Sequence, residues 1–317
     1  MKKTARVSTL GLIVGLVLAG RGNAQGLPKE ALNTFPSDTI RVEYANTSKL
    51  RDLPNYEALR QKFVGPRLRE LQESFSSLGV AERDINEVIL GWRPGSSVME
   101  LSGLVAGRFT ARQISERAAA NNVTTAAAVG NSQAYCAGSG AAASCLVVLR
   151  DSLGLFGPEA SLAQMLEVRD GSAVGLSSDS RFAQFLGESA AQSPIWGVAV
   201  GVAIPDFFRA WLPQGNIQLD WAKAFQQVEA LVYSVDTAQN VRLDVEMDCT
   251  SDQSAESTRQ IFEGLRMVQQ MAWQNTNPGR ANPFQTLEIA RDGRRLSLKM
   301  TSSFDDLQGF SPVGGGI

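Results

Sequence analysis

The chain has 317 residues, with 30 Lys and Arg against 32 Asp and Glu, three cysteines and no histidine. A hydrophobic share of 44% and a charged share of 20% are ordinary for a folded protein, and they exclude collagen-like, low-complexity and grossly disordered chains. Without histidine the chain can build no Ser-His-Asp or Cys-His catalytic site, no His-ligated zinc or haem, and no histidine pH switch.

The first 24 residues read as a signal peptide. Lys2, Lys3 and Arg6 form a basic start, 10–19 is an apolar run, and Gly22-Asn23-Ala24 places small residues before a cut ahead of Gln25. The apolar run is shorter than the roughly 20 residues a bilayer span needs. Leu18-Ala19-Gly20 has the form of a lipoprotein signal, but Arg21 stands where the lipid-carrying cysteine would be required. The expected product is therefore soluble, periplasmic or extracellular, with no transmembrane segment. Removing Lys2, Lys3, Arg6 and Arg21 with the signal leaves 26 basic against 32 acidic residues. Such a balance gives no electrostatic reason to bind nucleic acid or anionic lipid.

Residues 25–37 are polar and contain proline, which reads as a mobile leader. A strand is expected at 40–45, then a helix over 56–78 with Leu59, Phe63, Leu68, Leu71 and Phe75 on approximately one face, kinked or split at Gly65-Pro66. Strands follow at 87–92 and 98–107. Thr110 and Gln113 fit a capping box that opens the next helix. Strand-like runs at 124–135 and 146–149 flank a loop of small residues, and a hairpin there would bring Cys136 and Cys145 together. In the oxidising compartment that export implies, this predicts a Cys136–Cys145 disulfide. The run from Cys145 to Leu149 is apolar on both faces, as expected of a central strand. A helix at 158–168, a strand at 173–176 and a helix at 179–188 complete the first half.

The second half repeats the order. A strand at 197–204 leads through Leu212-Pro213, which matches Leu53-Pro54 at an offset of 159, to a helical stretch carrying Trp221 and Phe225. Strands are expected at 230–235 and 241–249. Thr250 and Gln253 again fit a capping box, and the helix they open aligns Ile261, Leu265, Val268 and Met271 or Ala272 on one face. Residues 287–291 and 296–300 form a hairpin through Asp292-Gly293. The tail, 311–317, reads as disordered. The fold class expected is α+β: a duplicated unit of mainly antiparallel sheet with helices packed on one face, the copies spanning 38–190 and 194–310.

Four features could carry chemistry. Asp244, Glu246 and Asp248 share one face of a strand, but same-face neighbours lie about 7 Å apart. Arg295 and Lys299 alternate to match them, so a solvated, charge-balanced face is expected rather than a metal or acid–base site. Gly138-Ser-Gly140-Ala-Ala-Ala143 has dinucleotide-fingerprint spacing without the helix that motif needs. Cys249 ends a strand in phase with its apolar face and reads as a buried free thiol. Phe207, Phe208, Trp211 and Trp221 form a dense aromatic stretch. It reads as core packing, or, where exposed, as a ligand or partner surface. No catalytic residue, cofactor or metal ligand is assigned.

In layout, residues 38–310 resemble uncharacterised exported bacterial proteins built from two related α+β units. The resemblance rests on element order and the signal peptide; it implies export and duplication and lends no functional residues. The expected function is a non-catalytic binding or interaction module whose partner is an envelope protein or small ligand. The alternatives are a carboxylate-dependent hydrolase of envelope or environmental polymers, and a structural subunit of an envelope assembly.

Overall fold

The computed structural model describes residues 26–53, 56–57, 72, 75–95, 99–129, 132–137, 144–189, 193–211 and 219–307. The expected signal peptide, the Gly65-Pro66 kink, the 138–143 loop and the tail lie outside these residues.

Among the described residues the strands form one antiparallel sheet of twelve. In chain order the first half supplies β1 (Arg41–Ala45), β2 (Ile85–Pro94), β3 (Met99–Gly107), β4 (Thr124–Val129), β5 (Ser132–Ala137), β6 (Ser144–Arg150) and β7 (Leu153–Gly157). The second half supplies β8 (Ile195–Val200), β9 (Val228–Asp236), β10 (Val241–Cys249), β11 (Glu288–Asp292) and β12 (Arg295–Ser302). Across the sheet the order is β11-β12-β10-β9-β8-β1-β2-β3-β7-β6-β5-β4. The halves meet where β1 pairs with β8, Glu43 opposite Gly197 and Tyr44 opposite Trp196, so they form one continuous sheet and not two lobes. Outward from β1 come β2, β3, β7 and β6; outward from β8 come β9, β10, β12 and β11 in the same relation. The β4–β5 hairpin extends the first side only.

Helices cover both faces. On one face α1 (Leu27–Leu32), α4 (Glu159–Arg169) and α5 (Ser180–Ser189) pack over the centre and the first-half strands. Their cluster includes Ala31, Leu162, Met165, Phe182 and Leu186 against Tyr44, Ile89, Leu104, Leu155 and Trp196. On the other face α6 (Ala203–Trp211), α7 (Trp221–Phe225) and α8 (Asp252–Thr276) cover the second half. There α3 (Ala111–Ala120) and Phe75 and Leu78 cover the first half. Only over β10, β12 and β11 do the described helices keep to one face. The strict alternation of β10 explains this: Val245, Met247 and Cys249 are buried under α8, while Arg242, Asp244, Glu246 and Asp248 turn outward. Short helices α2 (Thr47–Arg51) and α9 (Phe304–Leu307) sit after β1 and β12.

Several local signals formed as the residues dictate. The Thr110 hydroxyl accepts from the Gln113 backbone N–H, and the Gln113 side chain accepts from the Thr110 N–H, so α3 opens on a capping box. Gly293, at φ +55°, allows the tight turn from β11 to β12. Cys136 and Cys145 are register partners on β5 and β6, and their sulfurs are bonded at 2.00 Å.

Other expectations are corrected. Residues 27–37 are no mobile leader: α1 packs against the sheet, Leu27, Ala31, Thr34 and Phe35 are buried, and Glu30 pairs with Arg150 and Arg169 at 3.0 and 2.8 Å. Its polar appearance reflected the outer side of a docked helix. The segment 173–176 makes only one bridge, Pro36 to Gly175. The strand expected to reach residue 204 stops at Val200, where Gly201 turns at φ +54° and α6 begins. The α8 cap is one residue late: Ser251, not Thr250, accepts from the backbone N–H of Ser254, while Thr250 donates to Gln227.

Candidate functional site

The aromatic stretch is interior. Phe207, Phe208, Trp221 and Phe225 are buried, and Phe208 stacks on Phe225 with centroids 4.5 Å apart. Phe262 from α8 closes the cluster against both Phe208 and Phe225. The sequence therefore places these residues by apolar periodicity under the second half of the sheet. The Trp211 side chain lies outside the described residues.

At the seam between the halves the sheet carries a buried charged column. On the face covered by α3, α6, α7 and α8, β1 presents Arg41 and Glu43, which divide that face's apolar packing into two clusters. Arg41 donates through Nε to Glu43 Oε1 at 3.0 Å, and Tyr233 Oη donates to the same oxygen at 2.7 Å. The guanidinium lies over the Trp92 ring at 4.6 Å and the Phe207 ring at 5.7 Å, one from each half. Gly197 makes room for this. It lies between Glu43 and Tyr233 in the register, and a Cβ there would come 2.4 Å from Tyr233 Cε1. The Tyr233 ring thus crosses a strand with no side chain and reaches Glu43 two strands away.

The electrostatics follow from burial. Burial, and then the Glu43 charge, push the Tyr233 hydroxyl well above its ordinary pKa, so it stays a donor. Burial alone would lower the Arg41 pKa; Glu43, Tyr233 and Asp206 outweigh it, and the net direction is upward. The sequence did carry a signal for this column. In Arg41-Val-Glu-Tyr-Ala the charges alternate with apolar residues, but alternation ordinarily marks a wet face.

The acidic face of β10 is solvated and paired. Arg242 meets Asp244 at 2.8 Å, and Arg295 meets its register partner Asp248 at 3.3 Å. Lys299 stands opposite Asp244 in register. No cluster of metal-ligating side chains occurs among the described residues. Cys249 is a buried thiol whose pKa is raised, chiefly by burial.

The surface feature that periodicity misjudged lies on α8. The residues facing the sheet are Phe262, Leu265, Gln269 and Trp273, all buried. Val268 and Met271 were expected on that face; they are 41% and 58% exposed, and Met267 is 58% exposed. The helix is rotated because Phe262 and Trp273, eleven residues apart, claim the interior with their larger rings. Gly264, with nothing within 4 Å of a Cβ built on it, extends the outward stripe by one turn. No charged residue occurs from Met267 to Gly279, so the exposed side of the C-terminal half of α8 presents methionine, valine, alanine, amides and Thr276, without charge.

Fold and surfaces together define the class: a single open antiparallel sheet of α+β type, layered on both faces and joined through a buried charged seam. The sequence matches no family model and no curated protein. The fold is similar to solved structures of TP0453. Crystal form I aligns at TM-score 0.52 with 11% identity over 88% of this chain and 94% of that one. Crystal form III aligns at TM-score 0.51 with 12% identity over 88% and 96%. The likeness is one of fold. Among the described residues no helix is long and apolar enough to cross a membrane.

Proposed function

We propose that the chain is an exported, non-catalytic interaction module that docks an envelope protein on the outer face of α8. The observation that carries this reading is the contiguous exposed stripe of Met267, Val268 and Met271 on a helix of 25 residues. Scattered exposed apolar residues need no explanation, whereas a row on one rigid element marks a contact surface. Methionine suits such a surface because its unbranched thioether adapts to a partner's shape. Phe262, Leu265 and Trp273 hold the helix to the sheet, so the stripe is presented in a fixed orientation. The mirrored strand order about β1 and β8 supports two related units, 38–190 and 194–310, as products of duplication.

The test is site-specific photo-crosslinking in the producing cell. A photoreactive residue replacing Met267 or Met271 is expected to give a discrete heavier adduct. The same group at Asp244 on the open sheet face, or at Val174, should not. Identical adduct patterns at all four positions would overturn the reading. Export is checked on the same material by mass, which is expected to begin at Gln25.

A further inference from the structure

We propose that the edge strand β4 is a self-association surface, through which a second copy of this chain pairs antiparallel and extends the sheet across a two-fold axis. Three observations independent of α8 meet there. First, the two edges of the sheet are treated differently. The β11 edge carries Glu288, Arg291 and Asp292 within five residues, with Arg291 held to Glu256 at 3.4 Å. Charges of this kind block strand addition. At the other end no charged residue occurs between Arg117 and Arg150, so β4 and β5 are uncharged and β6 carries only its terminal Arg150, in a chain whose charged share is 20%.

Second, among the described residues the β4–β5 hairpin has no counterpart on the other side of the sheet, which ends at β11, the strand that corresponds to β6. It is an appended element that replaces the edge β6 would otherwise form. Third, the hairpin is stapled to the body of the sheet by Cys136–Cys145, which joins β5 to β6. A covalent tie at that place resists peeling of β5, the strand on which β4 is paired, from the body of the sheet. Among the described residues β4 pairs only with β5, regularly from Thr124 to Ala126, with an irregularity before Val129. Its other edge therefore offers main-chain donors and acceptors with no charge to repel a like partner. An isologous pair needs a self-complementary patch, and Thr-Thr-Ala-Ala-Ala-Val set against itself meets neither charge nor bulk.

The experiment is light scattering and sedimentation of the oxidised mature protein over a concentration series, with hydrogen exchange of segment 123–129 at both ends of the series. Wild type is expected to dimerise, with slower exchange in that segment at high concentration. Thr125→Lys and Ala126→Pro, checked for native circular dichroism and unfolding midpoint, should each weaken self-association at least tenfold. Replacing Met267 and Met271 together by Glu should leave the dimer intact, which separates this proposal from docking on α8. A monomer at every soluble concentration, or exchange in 123–129 independent of concentration, would overturn it. So would a dimer unaffected by Thr125→Lys, or one that is lost on changing the methionines.

Discussion

Replacing Glu43 by Gln tests the seam most directly. Glu43 Oε1 accepts from Arg41 Nε at 3.0 Å and from Tyr233 Oη at 2.7 Å, and Arg41 and Glu43 are 8% and 6% exposed. The amide keeps shape and volume but leaves the guanidinium buried with no opposite charge touching it. Breaking a buried pair in this way costs about 3–5 kcal/mol. Tyr233→Phe removes only a hydrogen bond to a charged acceptor, about 1.5–3 kcal/mol. Because both act on one oxygen, the double variant should lose less than the two single losses combined. Replacing the three together, Arg41→Met, Glu43→Leu and Tyr233→Phe, should fall within about 1–2 kcal/mol of wild type, since apolar isosteres remove the desolvation cost along with the attraction and leave no buried hydroxyl without its acceptor. The assay is urea unfolding followed by tryptophan fluorescence, with Trp92 beside Arg41 as a local reporter. A loss below about 1 kcal/mol for Glu43→Gln would refute a desolvated pair. Strict additivity of the two single variants would refute the shared acceptor.

The remaining predictions concern other contacts. Gly197→Ala places a Cβ against the Tyr233 ring and should destabilise by about 1–3 kcal/mol in the same urea assay; an unchanged midpoint would mean that the ring does not cross β8 there. Cys136→Ser with Cys145→Ser opens a short loop, since the two lie 9 residues apart. It should cost about 3 kcal/mol on the chain-entropy account, read as a lower midpoint than that of the oxidised wild type. Burial opposes ionisation of Glu30, but Arg169 and Arg150 outweigh it and hold its pKa below the ordinary carboxylate value. Its contribution is therefore complete above that value and is lost as the pH falls through the lowered one. Glu30→Gln should accordingly destabilise the protein at neutral pH and flatten the acid limb of the stability profile. An unaltered acid limb would refute the clamp.

The sequence by itself determined what depends on near neighbours. The Thr110–Gln113 cap, the Gly293 turn, the alternation of β10 and the meeting of Cys136 with Cys145 are each set within about a dozen residues. There backbone geometry and side-chain period leave few choices. The α+β class with a large antiparallel sheet followed from those strands. Tertiary structure alone decided what depends on distant partners. The pairing of Glu43 with Gly197 and the reach of Tyr233 to Glu43 join residues more than 150 apart in sequence. No local period encodes such contacts, and the same alternation that leaves Asp244 wet leaves Glu43 buried once β1 becomes the central strand. The α8 stripe has the same origin. Periodicity defines a face, but which face turns inward is settled by the volume available beneath it, and there Phe262 and Trp273 displaced Val268 and Met271 to the surface.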